Sequence, residues 1–157
     1  MRIGQGFDAH RFTQGNEFVL GGVRIPHDKG IEAHSDGDVL LHAICDALLG
    51  AAGLGDIGTH FSDQKDINKN RNSREFIIEA LAMLKGDDLF VQNVDATIIL
   101  QKPKIASYIE QMRKIIATDL DINVNQVNLK ATTTEKMGFI GREEGIAAQA
   151  IVLLDSI

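Results

Sequence analysis

Along the chain the spacing of apolar positions switches between a period of two and a period near 3.6, and these switches mark out the elements. Gly4 to His10 reads as a short strand, and Phe18 to Ile25 as another, interrupted by Gly21-Gly22. Ser35 has N-cap chemistry, with Asp38 three residues later, so a helix is expected to begin there. It runs on through Val39 to Leu49, apolar on nearly every side, and fades at Gly50. A second helix is expected over Arg74 to Lys85, closed by Gly86, and an amphipathic one over Tyr108 to Leu120. Val91 to Leu100, Val127 to Thr134 and Ile146 to Leu154 read as strands, with Pro103 marking the turn after the first of them. From Gly53 to Ser73 the chain is first glycine-rich and then polar. Gln64 to Asn72 has so few apolar anchors that a functional lid or local disorder is expected.

Helices alternating with strands, without a break in composition or an internal repeat, predict one α/β (α+β) domain over residues 1–157. At 157 residues and 44% hydrophobic, such a chain can bury roughly two-thirds of its unfolded surface. No apolar run approaches the ~20 residues that span a bilayer. Met1-Arg2-Ile3-Gly4 leads straight into strand-like sequence, so no signal peptide is expected. The single cysteine, Cys45, rules out an internal disulfide and fits a reducing cytoplasm. The net charge is −6, and the 16 Lys and Arg are scattered rather than gathered in a stripe. Nucleic acid and anionic membrane are therefore poor partners. A phosphorylated small molecule remains open, provided that metal ions and backbone N–H groups supply the positive potential.

Asp8 and His10, two apart on a strand, point to one side. Alone, such a pair is more often a solvent-facing strand edge. His42 alters that reading. Asp38, His42 and Asp46 recur every four residues on an otherwise apolar helix and form a polar stripe, which by itself could be merely its wet face. Taken together, however, Asp8, His10 and His42 offer one carboxylate and two imidazoles. That donor set suits Zn²⁺ with a fourth position open to substrate or water. Asp46, one turn beyond His42, is a candidate partner for the second imidazole nitrogen.

Gly53 to Gly58 matches G-x-G-x-x-G but follows a helix and enters a polar loop, so the dinucleotide reading is rejected. Asp56 within it could bind hydroxyls or simply make a turn. Thr132, Thr133 and Thr134 leave a strand and offer hydroxyls to phosphate oxygens, though β-branched threonines also favour strands for their own sake. Glu135 after them suits Mg²⁺ shared with substrate phosphates.

Gly6-Phe7-Asp8-x-His10, His34-Ser35-Asp36-Gly37-Asp38, Gly55-Asp56-Ile57-Gly58 and Ala131-Thr132-Thr133-Thr134-Glu135-Lys136 resemble the methylerythritol cyclodiphosphate synthases, and the likeness extends over essentially the whole chain. The resemblance implies a mixed sheet with helices mainly on one face, assembling as a homotrimer with active sites between subunits. It implies metal-dependent cyclisation of 4-diphosphocytidyl-2-C-methyl-D-erythritol 2-phosphate, with release of CMP, in the non-mevalonate route to isoprenoid precursors. Asp8, His10 and His42 would hold zinc, with Asp8 and His10 also meeting substrate. His34 and Thr133 would stabilise the transition state, and Ser35 would hold a phosphate. Asp56, Ile57 and Gly58 would take the methylerythritol part, beneath a mobile loop that begins with Phe61, Ser62, Asp63, Gln64 and Lys65. Ser62 stands where many members have proline, which bears on loop stiffness rather than chemistry. Leu100, Gln101, Lys102, Pro103, Lys104, Ile105 and Ala106, with Thr132 and Thr133, would form the cytidine and phosphate pocket, and Thr134 would also meet substrate. Glu135 would bind Mg²⁺ or Mn²⁺ across the diphosphate, and Phe139 and Arg142 would complete the substrate contacts. Arg142 and Glu144 would lie near the trimer axis, where a cavity in some members holds an isoprenoid diphosphate. Two rival readings are a zinc-dependent nucleotide phosphohydrolase and a non-enzymatic trimeric binder of isoprenoid diphosphates.

Overall fold

The computed structural model describes residues 1–156. Five strands form one mixed sheet in the order β4-β1-β7-β5-β6. They are β1 (Arg2–Thr13), β4 (Gly30–Glu32), β5 (Leu89–Ile99), β6 (Val127–Thr132) and β7 (Gly145–Ser156). The pairs β1–β4, β1–β7 and β5–β7 are antiparallel, whereas β5–β6 is parallel. A parallel neighbour requires a crossover, and helix α4 (Ile109–Asp119) supplies it. A hairpin of β2 (Val19–Leu20) and β3 (Val23–Arg24) stands apart from the sheet. Its two-residue turn needs φ > 0 at both positions, and Gly21 and Gly22 adopt 56° and 76°.

Helix α1 (Val39–Ala52) lies on the sheet against β1, β7 and β5, with α3 (Ser73–Gly86) docked beside it and also touching β5. That explains why α1 is apolar nearly all round: Leu40, Leu41, Ile44, Leu48 and Leu49 are all buried between these layers. Among the described residues the opposite sheet face carries none of the long helices α1, α3 and α4 and leaves Ile3, Phe7 and Ile151 exposed. Helices thus pack mainly on one face, as expected. Among the described residues no helix is long and apolar enough to cross a membrane.

Four expectations shift. The cap of α1 is Asp38, not Ser35. Its fully buried carboxylate accepts N–H bonds from Leu41 (3.1 Å), Gly21 (2.9 Å) and Gly22 (2.7 Å), so a tertiary contact with the hairpin sets where the helix starts. The helix also passes Gly50 and ends at Gly53, in the left-handed conformation. β6 stops at Thr132, and Thr133 to Lys136 turn away, with Glu135 and Lys136 at positive φ. Finally β4 and the four-residue helices α2 (Ile57–His60) and α5 (Gly138–Gly141) had no periodic signal to announce them.

Candidate functional site

Gly4, Gly6, Asp8 and His10 occupy the helix-facing side of β1. At the two glycines the strand lies backbone to backbone against α1, where a Cβ would run into the carbonyl oxygens of Ala47 and Ala43. Beyond Gly6, the same side of β1 reaches the first turn of α1, and there His42 meets Asp8 and His10. Asp8 Oδ2 lies 3.0 Å from both His10 Nε2 and His42 Nδ1, and the two ring nitrogens are 3.1 Å apart. Tetrahedral coordination with bonds near 2.0–2.1 Å separates neighbouring ligand atoms by about 3.3 Å. The cluster therefore fits a metal ion in both donor type and spacing. Its charges are matched as well. Burial alone would raise the Asp8 carboxyl, but hydrogen bonds from His10 and His42 outweigh it and hold the group well below the usual carboxylate range. Burial alone would push His42 down, and the hydrogen bond and charge of Asp8 more than reverse that.

The far side of His42 departs from expectation. Nε2 lies 2.9 Å from Ser73 Oγ and 3.2 Å from Ser35 Oγ. The Ser73 hydroxyl in turn donates to Asp36 Oδ1, and the Ser73 N–H reaches Asp36 Oδ2 at 3.0 Å. Asp46 is not the partner. Its carboxylate accepts the Ile57 N–H at 2.7 Å and pins the start of α2 instead.

A cavity of about 320 Å³ opens beside the cluster, lined by Asp8, His10, His34, Ser35, His42, Ile57, Gly58, Phe61 and Asp63 among others. Nine of the expected residues thus share one space. Asp56 sits next to it and caps α2, accepting from the Thr59 N–H and hydroxyl at 2.8 Å each. His34 Nε2 is buried without a hydrogen-bond partner among the described residues, a group suited to a ligand's oxygen. Ser62, Gln64 and Lys65 lie on the loop above, outside the cavity lining. That loop is better anchored than its composition suggests. Phe61 stacks on Phe76 at 4.8 Å, and the Arg71 guanidinium lies over both rings. The buried Asn68 donates to Ser62 O at 2.8 Å, and Asn70 N–H donates to His34 O at 2.7 Å. Within the loop, Asp63 to Ile67 is exposed throughout, as are Lys69 and Asn70.

A second cavity, about 230 Å³, is lined by Leu100, Gln101, Pro103, Lys104, Ile105, Ala106, Thr132 and Thr133. It lies at the same end of the sheet as the Asp8, His10 and His42 cluster, but β6 and β1 are three strand spacings apart, roughly 14 Å. Lys102 turns outward and pairs with Glu143 at 3.1 Å. The three threonines differ in what their protons do. Thr132 Oγ1 donates to Thr133 O (3.1 Å) and Thr134 Oγ1 to Met137 O (2.7 Å), whereas Thr133 Oγ1 accepts from Glu135 N–H (3.2 Å) and keeps its proton for another partner. Glu135 is exposed on the turn that follows. Phe139 lines a third cavity, of about 300 Å³, with Ala9, His10 and Glu144, and Arg142 pairs with Glu144 at 3.0 Å.

A family model described as the YgbB family matches residues 1–155. The chain belongs to the YgbB family. A relative from Stutzerimonas stutzeri, named 2-C-methyl-D-erythritol 2,4-cyclodiphosphate synthase, is 59% identical over 98% of each chain. Among solved structures, the bifunctional IspDF from Campylobacter jejuni superposes with a TM-score of 0.96 at 43% identity. This chain is covered to 99% but spans only 42% of that longer one. IspF from Plasmodium falciparum, solved as a CDP complex, gives 0.87 at 37% identity, covering 99% of this chain and 96% of its own.

Within this YgbB-family chain, sequence reasoning passed over Ser73, Asp36, Asn68 and Arg71. Ser73 lies 31 residues from His42 and reads locally as an ordinary first residue of a helix. Arg71 reads as one more charge in a polar run, because the stacked rings that hold it come from elsewhere in the chain.

Proposed function

We propose that this chain forms 2-C-methyl-D-erythritol 2,4-cyclodiphosphate from 4-diphosphocytidyl-2-C-methyl-D-erythritol 2-phosphate and releases CMP. The observation that carries the reading is the convergence of Asp8, His10 and His42 beside a cavity that His34 also lines, in a YgbB-family chain. The substrate's 2-phosphate is itself an anion, so no general base is needed. The protein's task is to fold the substrate until its 2-phosphate meets the β-phosphorus, and such orientation can contribute roughly 7–11 kcal/mol in favourable cases. Zn²⁺ held by Asp8, His10 and His42, and Mg²⁺ or Mn²⁺ held by Glu135 with the diphosphate, would supply the positive charge that an acidic chain lacks. Ile57, Gly58 and Asp56 would seat the methylerythritol part, and Ser35 a phosphate oxygen. His34 and Thr133 would donate to oxygens whose charge grows in the transition state.

The Leu100–Ala106 loop with Thr132 and Thr133 would take cytidine, supplied by a neighbouring copy in a homotrimer. Two features support this. The two cavities are separate within one chain, and the sheet face opposite α1 exposes Ile3, Phe7 and Ile151. Arg142 and Glu144 would then approach the trimer axis, where an isoprenoid diphosphate would bind. One domain over 1–157 working in the cytoplasm, with Cys45 reduced and buried, completes the proposal.

Incubation with substrate and quantification by ³¹P NMR tests it. Cyclic diphosphate and CMP are expected in equal amounts, and an open-chain methylerythritol phosphate product would overturn the reading.

A further inference from the structure

The hydrogen bonds behind His42 run in a fixed direction. A carboxylate only accepts, so the Ser73 hydroxyl proton is committed to Asp36 Oδ1. Ser73 Oγ must then accept from His42 Nε2, 2.9 Å away, and Nε2 must carry a proton. Ser35 Oγ, 3.2 Å from the same nitrogen, accepts the Gly37 N–H at 3.3 Å and can share that proton. With Nε2 protonated, the neutral ring keeps its lone pair on Nδ1, the atom that faces Asp8 and His10.

We propose that Ser73 and Asp36 are positioning residues for the metal site: the relay from Asp36 through Ser73 holds His42 in the Nε2–H tautomer and aims Nδ1 at the ion. The proposal rests on the reading of Asp8, His10 and His42 as metal ligands. Neither residue lines the cavity beside the cluster, so neither acts by touching substrate there. The Ser73 hydroxyl is not needed to cap α3 either. Asn72 does that, accepting from Arg74 N–H at 3.0 Å. Yet Ser73 is fully buried, and a buried hydroxyl is kept where both its bonds are used. A carboxylate-backed acceptor behind a ligating imidazole orients the ring and strengthens it as a ligand.

Asp36→Asn is the discriminating variant. One of its two positions facing Ser73 becomes an NH₂ donor. An amide turned toward Ser73 Oγ would force the hydroxyl proton onto His42 Nε2 and select the wrong tautomer. Ser73→Ala removes the relay while Asp36 keeps the backbone N–H bonds of residues 73 and 38. Ser73→Thr preserves the hydroxyl.

The test measures Zn²⁺ affinity of chelator-stripped full-length protein by competition with a chromophoric chelator. Alongside it, ¹⁵N NMR of the zinc-loaded, histidine-labelled protein reports which His42 nitrogen keeps its proton. Ser73→Ala and Asp36→Asn are expected to weaken zinc binding roughly 10–100-fold with the metal-free fold retained, while Ser73→Thr stays close to wild type. The wild type should show an Nε2–H signal for His42. Wild-type affinity in both Ser73→Ala and Asp36→Asn, or an Nδ1–H signal in the zinc-loaded protein, overturns the relay alone. Should Ser73→Thr not fold, Asp36→Asn on its half-exposed loop still decides. Failure of the wild type to bind zinc at all overturns the ligand reading and the relay with it.

Discussion

Gly6 lets the β1 backbone lie against α1, and the same contact sets the reach from Asp8 and His10 to His42. A methyl group at Gly6 would meet the Ala43 carbonyl, so Gly6→Ala should lower stability by about 1–3 kcal/mol in denaturant unfolding and weaken zinc binding. Gly50→Ala is the control: a Cβ there meets only Gln5 O at 4.0 Å, and replacing this glycine in the last turn of α1 should stabilise by up to roughly 0.5–1 kcal/mol. If Gly6→Ala behaved like the control, the close-packing account would be wrong. The cluster's charges give a second prediction. His42 is raised above its ordinary 6.5, so its contribution to the metal-free protein is complete below pH 6.5 and fades as pH climbs through the folded value. Asp8 is lowered, so its contribution is present above pH 3.8 and lost as pH falls through the folded value. A metal needs His42 without its Nδ1 proton. Above pH 6.5 the melting temperature of metal-free protein should therefore fall while that of zinc-saturated protein rises relative to it. Parallel curves in differential scanning calorimetry would contradict the ligand assignment. Asp8, His10 and His42 were legible as candidates because the strand period puts the first two on one side and the helix period puts His42 on a polar stripe, and their donor types suit one ion. Ser73 and Asp36 were not, because a hydroxyl finds its partner only once α3 is docked beside α1.

Among the elements, the long helices and strands could be read to within a few residues, since each buries a periodic face. The loop after α2 could not. Its composition is polar, but Phe61, Asn68 and Arg71 attach it to Phe76, to Ser62 O and to the segment before α1. Arg71 also bonds Glu75 at 2.7 Å, as well as Glu79 and Asn68. Amide hydrogen exchange should show Asn70 and Ser73 protected in the free protein and the exposed Gln64 to Asp66 exchanging fast. Arg71→Ala should erase the protection of Asn70 while leaving α1 untouched. Uniformly fast exchange from Gln64 through Asn72 in wild type would restore the mobile-lid expectation.

For the molecule as a whole, a sheet covered on one side leaves apolar side chains that a second copy can bury. Ile3 and Phe7 on β1 and Ile151 on β7 form the apolar part of that face, beside the polar Gln5 and Gln149. The trimer account predicts a sedimentation-equilibrium mass three times the 17.1 kDa of one chain, and dissociation with loss of turnover in Phe7→Glu. A fully active monomer would rule out a site shared between copies. The central claim, that the substrate's own phosphate is the attacking group, is tested most directly by running the reaction in ¹⁸O-labelled water. The account predicts cyclic diphosphate and CMP with no solvent oxygen on phosphorus by mass spectrometry, whereas ¹⁸O in an accumulating open-chain product would contradict it and indicate a phosphohydrolase.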